Sequence, residues 1–400
     1  MLARKSVKQR FSPDEQILRL MESFRQMTNI CIQIGLENDA SSLKRLSLIS
    51  YKQLRGFSIP SCYKLCAISK AAGILSARRK SIRRGFRTKN PYLKKPLLTS
   101  CYGFKIMNGK VLVPVGSRKI EPIPLNAHTL HILADKVRVH SFSLTTGSLS
   151  LCISREVQPL IHPASYVGVD RNLNNLAVGN SDAVTYYDMS KAAKIAKTTR
   201  DIVRSFNRND TRIRTSIASK YGERRTNRIR QLLHRVSRQV VDSAVKNGQG
   251  VVFEDIREIR RLYRRGNGQG RAYRAQMNSW PFHEIKRQVE YKAAWVGVPV
   301  ITLTGSETRG TSRVCPRCGE RLQSSKRLSR KLWCRQCREM FDRDLVAVLN
   351  IARRGRVRFA RPEGVGVEAM VQEPDAGQAW PKVILKVDPT KLTQGHEPTS

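Results

Sequence analysis

Four cysteines near the C-terminal end of the sequence constrain its fold more than any other feature. Cys315, Cys318, Cys334 and Cys337 follow the pattern Cys-x2-Cys-x15-Cys-x2-Cys. Two such pairs can place four thiolates tetrahedrally around one Zn²⁺, and closure of all four positions is typical of a structural zinc site. The pattern predicts a zinc ribbon over 306–341. The alternative, a redox function, would need one Cys-x-x-Cys pair and not two.

The apolar residues from position 165 onward follow the pattern of an α/β domain. Strands are expected at 166–170, 176–178, 183–187, 251–253 and 298–303, and helices at 222–247 and 281–296. Three strands, a helix, a strand, a helix and a strand is the order of the RNase H/RuvC-like fold. The sequence therefore predicts an α/β nuclease domain of that fold, formed by 161–305 and a final helix at 342–354, with the zinc ribbon inserted between them.

Three acidic residues occupy the ends of these predicted elements. Asp170 and Glu254 each end an apolar strand, and Asp344 begins the final helix. Converging carboxylates repel one another unless cations neutralise them, and two Mg²⁺ or Mn²⁺ ions suit such oxygen ligands. A single aspartate after a strand is more often a turn or cap residue, but the joint placement favours a metal-dependent phosphodiester hydrolase. Asp255 and Asp342 lie nearby, and Asp342 is expected to cap the helix.

The charge of the chain points to a polyanionic partner. Lysine and arginine number 74 against 31 acidic residues, a net charge of +43. Phosphate contacts release counterions and make nucleic acid the usual partner of such a chain. A membrane surface is the alternative, but the basic residues are spread along the whole sequence rather than gathered on one amphipathic helix.

Nucleic-acid contacts are predicted in two arginine-rich segments. One follows Glu254 and combines glycine, arginine and tyrosine, which suits phosphate contact and base stacking. The other ends the N-terminal helices. Either segment can instead be a solvated loop or helix face. The candidates are Arg260, Arg261, Arg264, Arg265, Arg271, Arg274, Arg78, Arg79, Arg83 and Arg84.

The two ends of the chain differ from this α/β pattern. Residues 1–160 are predicted to form an α-helical plus β-barrel-like recognition region, with a helix at 13–35, further helices to about 84, and strands between 102 and 157. Residues 355–400 are rich in proline, glycine and charge, so a disordered tail is expected. No apolar run approaches the ~20 residues that span a bilayer, and the N-terminus lacks a signal-peptide pattern. We expect a cytoplasmic protein with no membrane partner and no small-molecule substrate.

Several short motifs occur in the order of one known family. They read GVDRNLNNLAV at 168–178, VFEDI at 252–256, WPF at 280–282, YKA at 291–293, TSRVC at 311–315 and DRD at 342–344. The chain resembles TnpB, the transposon-encoded RNA-guided DNA endonucleases ancestral to the compact type V CRISPR effectors. The match covers roughly 165–353. The N-terminal region fits the family's recognition and wedge domains only in outline, and Arg338 stands where a glycine often follows the second cysteine pair.

The resemblance implies a prokaryotic, nucleoid-associated enzyme with a guide RNA transcribed from the end of a mobile element. It implies double-stranded DNA targets next to a short adjacent motif, cut by one RuvC-like site in which Asp170, Glu254 and Asp344 are catalytic. The four cysteines would be the zinc ligands. Three alternatives stay open: a compact type V CRISPR effector with the same chemistry, a nuclease-silent RNA-guided DNA-binding repressor, and a transposase that joins strands itself.

Overall fold

The computed structural model describes residues 1–116, 119–206, 210–256, 259, 268–324, 330–359 and 381–386. The chain divides into two compact units, one formed by Leu2–Glu156 and the other by Met1 with Val157–Ser400. Within these described ranges, no helix is both long enough and apolar enough to cross a membrane.

The first unit combines helices with antiparallel strands. Its elements are β1 (Leu2–Arg10), α1 (Glu15–Glu37), α2 (Leu43–Ser50), a 3-10 turn (Tyr51–Leu54), α3 (Ser61–Arg83), β2 (Leu97–Ser100), β3 (Lys105–Met107), β4 (Lys110–Gly116), β5 (Lys119–Pro124), α4 (Ala127–Ala134), β6 (Arg138–Thr145) and β7 (Ser148–Glu156). The predicted first helix is confirmed. Asp14 caps α1 by accepting a hydrogen bond from the Ile17 backbone nitrogen at 2.7 Å, and the apolar face of the helix is buried.

The strands of this unit form two sheets, in the orders β1-β7-β6-β2 and β3-β4-β5. The predicted strand region is therefore present, while its barrel-like closure stays a prediction. The sequence did not predict β1 or α4. In β1 the buried residues Ala3, Val7 and Gln9 alternate with exposed basic ones. This pattern is weak because the strand gains its stability by pairing with β7, about 150 residues away in the sequence.

The second unit contains the α/β domain and the ribbon. Its elements are β8 (Ser165–Arg171), β9 (Asn175–Gly179), β10 (Ala183–Asp188), α5 (Ser190–Ser205), a π-helical turn (Ile213–Ile217), α6 (Ala218–Lys246), β11 (Gln249–Glu254), α7 (Arg271–Ser279), α8 (Phe282–Val296), β12 (Val300–Leu303), β13 (Gln323–Ser324), β14 (Lys331–Cys334), β15 (Glu339–Asp342), α9 (Arg343–Phe359) and β16 (Lys382–Lys386).

The main sheet has the strand order β12-β11-β8-β9-β10-β16. Strands β8, β9 and β10 are antiparallel neighbours, whereas β11 is parallel to β8 and β12 is parallel to β11. Alternate residues of a strand face opposite sides of a sheet. Accordingly Val251 and Phe253 join the core formed with α6 and α8, while Val252 packs with Ile351 of α9 on the other side. The predicted strands and helices occur in the predicted order, and the structure adds α5 and α7, which the sequence analysis did not predict.

Gly168 allows α9 to lie directly against the backbone of β8. A Cβ atom at this position would overlap the carbonyl oxygen of Val348 and lie 2.8 Å from the backbone nitrogen of Ala352. Gly355 has the same role in α9, because a Cβ there would overlap the side chain of Val252. The two glycines together permit a close helix–sheet contact.

The predicted disordered tail, 355–400, differs from the structure at two places. Helix α9 continues to Phe359, and Lys382–Lys386 forms a strand that pairs in parallel with β10. The segment Val383-Ile384-Leu385 explains the strand, because β-branched and large apolar residues favour extended backbone. The remainder of this tail lies outside the described residues.

We expect Gly168→Ala to lower the free energy of unfolding by about 1–3 kcal/mol, because the added methyl group meets rigid backbone atoms. Gly222→Ala is the matched control: Gly222 lies in α6, where an added Cβ has no neighbour within 4 Å, so the same change should stabilise by roughly 0.5–1 kcal/mol. Chemical denaturation followed by circular dichroism measures both. Equal stability of the two variants would contradict the close contact.

Candidate functional site

The strand register brings Asp170 and Glu254 together at one edge of the main sheet. Phe253 of β11 is the parallel partner of Val169 in β8, so the following residues, Glu254 and Asp170, end neighbouring strands side by side. Both are partly exposed there. The edge is formed by strand ends with fixed backbone positions, which gives the two carboxylates little freedom.

The third predicted carboxylate comes from the first turn of α9. Asp344 is only 3% exposed. The start of the helix is defined by Asp342, whose Oδ1 accepts hydrogen bonds from the backbone nitrogens of Asp344 at 2.9 Å and Leu345 at 3.2 Å. Asp342 is therefore the cap of α9, as the sequence predicted. The hydroxyl of Tyr186 donates a further hydrogen bond to the same oxygen at 3.3 Å.

Three polar residues that the sequence analysis did not assign connect these carboxylates. Asn172 donates to Asp170 Oδ2 at 2.8 Å, and Asn175 donates to Asp344 Oδ2 at 3.3 Å. Arg330 forms an ion pair with Asp344 and donates to Asn172 Oδ1 at 3.2 Å. Both asparagines lie within the 168–178 motif, so the motif could have identified them as site residues. Nothing distinguishes Arg330 among the many arginines of the sequence.

The electrostatics of this cluster favour bound cations. Burial, followed by repulsion from Glu254 and Asp344, raises the pKa of Asp170 to about 7. Burial also raises the pKa of Glu254, against an opposing effect of Arg171. Carboxylates that are destabilised in this way lose the penalty when a divalent cation lies between them. These carboxylate oxygens therefore suit hard cations such as Mg²⁺ or Mn²⁺ as ligands.

The spacing of the carboxylates suits more than one ion. Among the residues that the structure describes, only the four cysteines form a group of three or more potential ligands whose atoms all lie within 4.8 Å of one another. The oxygen atoms of at least one pair among the three carboxylates are therefore more than 4.8 Å apart. Such a spacing is compatible with a pair of cations ~4 Å apart.

The four cysteines form a compact cluster that could bind zinc. The Sγ atoms of Cys315 and Cys337 lie 3.8 Å apart, and those of Cys318 and Cys334 lie 3.4 Å apart. Tetrahedral ligands at the usual Zn–S distance of ~2.3 Å are separated by about 3.8 Å. Burial and hydrogen bonds from neighbouring thiols raise the pKa of Cys315 to about 11, a cost that Zn²⁺ would remove by binding thiolates.

The residue after each cysteine pair has a left-handed backbone. Gly319 follows the first pair with φ 77°, and Arg338 follows the second with φ 53°. Only glycine adopts this conformation without steric cost. The predicted departure from the family pattern at Arg338 therefore has a structural consequence: the loop keeps the backbone shape of a glycine position although the residue is not glycine.

The ribbon is attached directly to the start of α9. In the antiparallel pair of β14 and β15, Lys331 is opposite Asp342, and the backbone nitrogen of Arg343 donates to the carbonyl oxygen of Arg330 at 2.8 Å. Farther along α9, Asn350 donates to the carbonyl oxygens of Thr311 and Val314, both at 2.8 Å. These contacts couple the cysteine cluster to the helix that carries Asp344.

The arginines proposed for nucleic-acid contact are only partly described. Arg260, Arg261, Arg264 and Arg265 lie outside the described residues. Arg271 is exposed and Arg274 half-buried, both on α7. In the first unit, Arg79, Arg83 and Arg84 are exposed at the end of α3, while Arg78 is half-buried and donates to Asn90. The role of all ten arginines in nucleic-acid contact stays a prediction.

Comparisons with known proteins agree with this architecture. A family model described as "Cas12f1-like, TNB domain" matches residues 282–351. A TnpB-like protein of Methanocaldococcus jannaschii is 28% identical over 194 residues, which are 44% of this chain and 67% of that protein. The CRISPR-associated endodeoxyribonuclease Cas12f1 of Sulfoacidibacillus thermotolerans is 31% identical over 121 residues, 30% of this chain but only 25% of that protein.

A solved structure extends the likeness to most of the chain. The Cas12f1 chain of a Cas12f1-sgRNA-target DNA complex matches with a TM-score of 0.56 and 14% identity, covering 84% of this chain and 81% of that one. At this identity the match shows a shared fold. The fold is therefore that of the RuvC-containing Cas12f effectors with a TNB domain. The chain is related to the TnpB and Cas12f proteins, and the resemblance indicated by its motifs is confirmed.

We expect purified protein to contain one zinc atom per chain by elemental analysis. Cys334→Ser should lose this zinc, lower the melting temperature of the second unit and displace the start of α9, because metal binding contributes folding free energy to such sites. Cys152→Ser, a thiol of β7 in the other unit, is the matched control and should keep one zinc. Folded wild-type protein without zinc would disprove the assignment.

Proposed function

We propose that this chain is an RNA-guided, divalent-metal-dependent DNA endonuclease of a mobile element. It would hydrolyse phosphodiester bonds of guide-matched DNA next to a short adjacent motif. The observation that carries the proposal is the convergence of Asp170, Glu254 and Asp344, which reach one sheet edge from β8, β11 and α9. A carboxylate such as Asp170, whose pKa is raised by burial and by neighbouring carboxylates, is typical of sites that bind cations for catalysis.

The residues of the chain would hold and orient the cation ligands. Two Mg²⁺ or Mn²⁺ ions, when bound, would supply the positive charge that stabilises the attacking and leaving oxygens of the phosphodiester. Asn172 and Asn175 fix the orientations of Asp170 and Asp344 by the hydrogen bonds described above. The Oδ1 atom of Asn175 is buried and has no hydrogen-bond partner within the described residues, so the site keeps an oxygen that a bound cation or its water shell could use.

The charge of the protein supports nucleic acids as partners. A net charge of +43 needs a polyanion to offset its self-repulsion, and a solved structure of the same fold is a complex with sgRNA and target DNA. We therefore propose a guide RNA from the end of the mobile element and a double-stranded DNA target. Base pairing with the guide would select the sequence, and the arginines would contact the backbone.

The ribbon would affect catalysis by fixing the position of Asp344. Its four cysteines fix the β14–β15 hairpin, which continues directly into α9 and Asp344. A structural zinc would in this way set the distance between Asp344 and the carboxylates of the sheet edge. The division into a recognition region at 1–160, a nuclease domain at 161–305 and 342–354, and a ribbon at 306–341 is part of this proposal.

One observation favours a second candidate, a nuclease-silent RNA-guided DNA-binding repressor. Arg330 compensates the charge of Asp344 by a direct ion pair, and a guanidinium in this position competes with a cation for the same carboxylate. A compact type V CRISPR effector would have the same chemistry as the proposed enzyme. A repeat array beside the gene would indicate the effector, and transposon ends would indicate the mobile-element enzyme.

We expect Asp170→Ala to reduce Mg²⁺-dependent cleavage of a guide-matched duplex by on the order of 10²–10³-fold or more, because one anionic ligand is lost. Glu254→Ala and Asp344→Ala should behave alike. Target affinity should change little in all three, since binding depends on guide pairing and on many phosphate contacts. Cleavage assays and binding measurements on the same preparations separate the two effects.

Two carboxylate variants are the controls. Asp242→Asn removes a surface charge of α6, which pairs with Arg238, and Asp342→Asn keeps an amide oxygen that can cap α9 as well as aspartate does. Both should cut at near wild-type rate. The triad assignment is wrong if Asp170→Ala also does so. Wild-type protein that binds the matched duplex in Mg²⁺ or Mn²⁺ without cutting it would establish the nuclease-silent candidate instead.

A further inference from the structure

A cavity of about 290 Å³ lies beside Glu254, at the same sheet edge as the carboxylates. Its lining includes Arg171, His283, Lys286 and Thr302. This volume is near the lower limit of ~300 Å³ that is usual for ligand pockets. Strands β8, β11 and β12 all end here, so a polynucleotide strand that crosses the carboxylates along this edge would reach the cavity next.

Arg171 is a buried cation that donates its hydrogen bonds to carbonyl oxygens, and the carboxylates of Glu254, Asp170, Asp255 and Glu290 are near enough to attract its charge. It is 5% exposed, and its guanidinium donates to the carbonyl oxygens of Phe282 at 3.1 Å and Glu254 at 2.5 Å. The guanidinium lies 5.3 Å from the centre of the Phe253 ring. Its Nε atom is buried and, among the described residues, has no hydrogen-bond partner. The carboxylates offset the charge of Arg171 in the free protein. Cations bound at Glu254 and Asp170 would reduce that compensation, and an anion in the cavity would replace it.

The N-terminal end of α8 adds positive potential to the cavity. Helix α8 has 15 residues, and no side chain caps its N-terminus, where backbone N–H groups and the helix dipole favour anions. The acidic residue of its first turn, Glu284, is already bound by Arg287 at 2.8 Å and Gln288 at 2.9 Å. Lys286 follows in the next turn. It pairs with Glu290 at 3.4 Å near the surface, a type of ion pair that contributes little.

Two carboxylates also line the cavity, Glu254 and Asp255. Glu254 is one of the proposed cation ligands, so a bound cation would offset its charge. Along this edge, the carboxylates that would bind metal cations are followed by the positively charged side chains of Arg171 and Lys286, which would bind an anion. A phosphodiester strand carries anions at regular intervals, and it is the substrate class of the proposed reaction.

We propose that this cavity is a subsite for a backbone phosphate of the cleaved strand, one that flanks the scissile phosphate, and that Lys286 and the buried Arg171 bind it. This inference rests on the proposed nuclease function and deepens it. Lys286 would act as a positioning residue: it would not touch the reacting atoms, but it would fix the register of the strand over Asp170 and Glu254.

The test uses the full-length protein co-purified with its guide RNA and duplex targets that carry a single methylphosphonate linkage. The neutral linkage is moved one position at a time across the cleaved region. With wild-type protein, one position beside the scissile bond should slow cleavage roughly tenfold, the effect of losing one charge-assisted contact. Lys286→Gln should slow cleavage of unmodified DNA by a similar factor and should be insensitive to the methylphosphonate at that one position.

Two variants serve as comparisons. Lys286→Arg keeps a cation and should restore most of the rate and the sensitivity to the modified linkage. Lys246→Gln makes the same charge change at the end of α6, beside the start of β11 at the opposite edge of the sheet, and should match wild type. The subsite is disproved if Lys286→Gln cuts like wild type. It is also disproved if the rate loss from Lys286→Gln multiplies with the rate loss from the methylphosphonate at every position, because the two changes would then be independent. Failure of wild-type protein to cut unmodified matched DNA would instead overturn the proposed function, and the subsite with it.

Discussion

The contact between α9 and β8 is the constraint on which both the fold and the candidate site depend. Gly168 allows the helix backbone to lie against the strand, and this fixes how far the first turn of α9 reaches toward the sheet edge. Asp344 in that turn meets Asp170 and Glu254 as a result. The ribbon acts on the same contact from the other end, because β15 leads into α9 through the capping residue Asp342. A metal ion bound by the four cysteines would therefore affect the geometry of a candidate site built from distant strands.

The three carboxylates of the candidate site repel one another, and the structure holds them together by interactions that do not involve their charges. Strand register positions Asp170 and Glu254, and helix capping with core packing positions Asp344. Burial and the neighbouring carboxylates raise the pKa of Asp170. Arg330 offsets part of the negative charge of the cluster by its ion pair with Asp344. Beyond Glu254, positive side chains alternate with carboxylates, because Arg171 and Lys286 line the adjacent cavity together with Glu254 and Asp255. This alternation matches a substrate in which divalent cations and backbone phosphates lie next to each other.

Much of the second unit could be predicted from the sequence, because local periodicity determines its elements. The apolar runs that end at Asp170 and Glu254 gave the strands and the carboxylates, and the cysteine spacing gave the ribbon. Contacts between distant segments could not be predicted in this way. Strand β1 is defined by pairing with β7 and β16 by pairing with β10. Likewise, Arg330 reaches Asn172 across 158 positions, and no local pattern shows that contact.

The most direct measurement of the central claim is anomalous scattering from crystals of the protein grown or soaked with Mn²⁺. We expect manganese peaks bordered by the carboxylates of Asp170, Glu254 and Asp344, with the Arg330 guanidinium displaced from Asp344, and a separate zinc peak among the four thiols. A two-metal site would show two manganese peaks ~4 Å apart. Crystals with millimolar Mn²⁺ that show no peak at these carboxylates, and an intact Arg330–Asp344 ion pair, would show that the three carboxylates do not bind divalent cations.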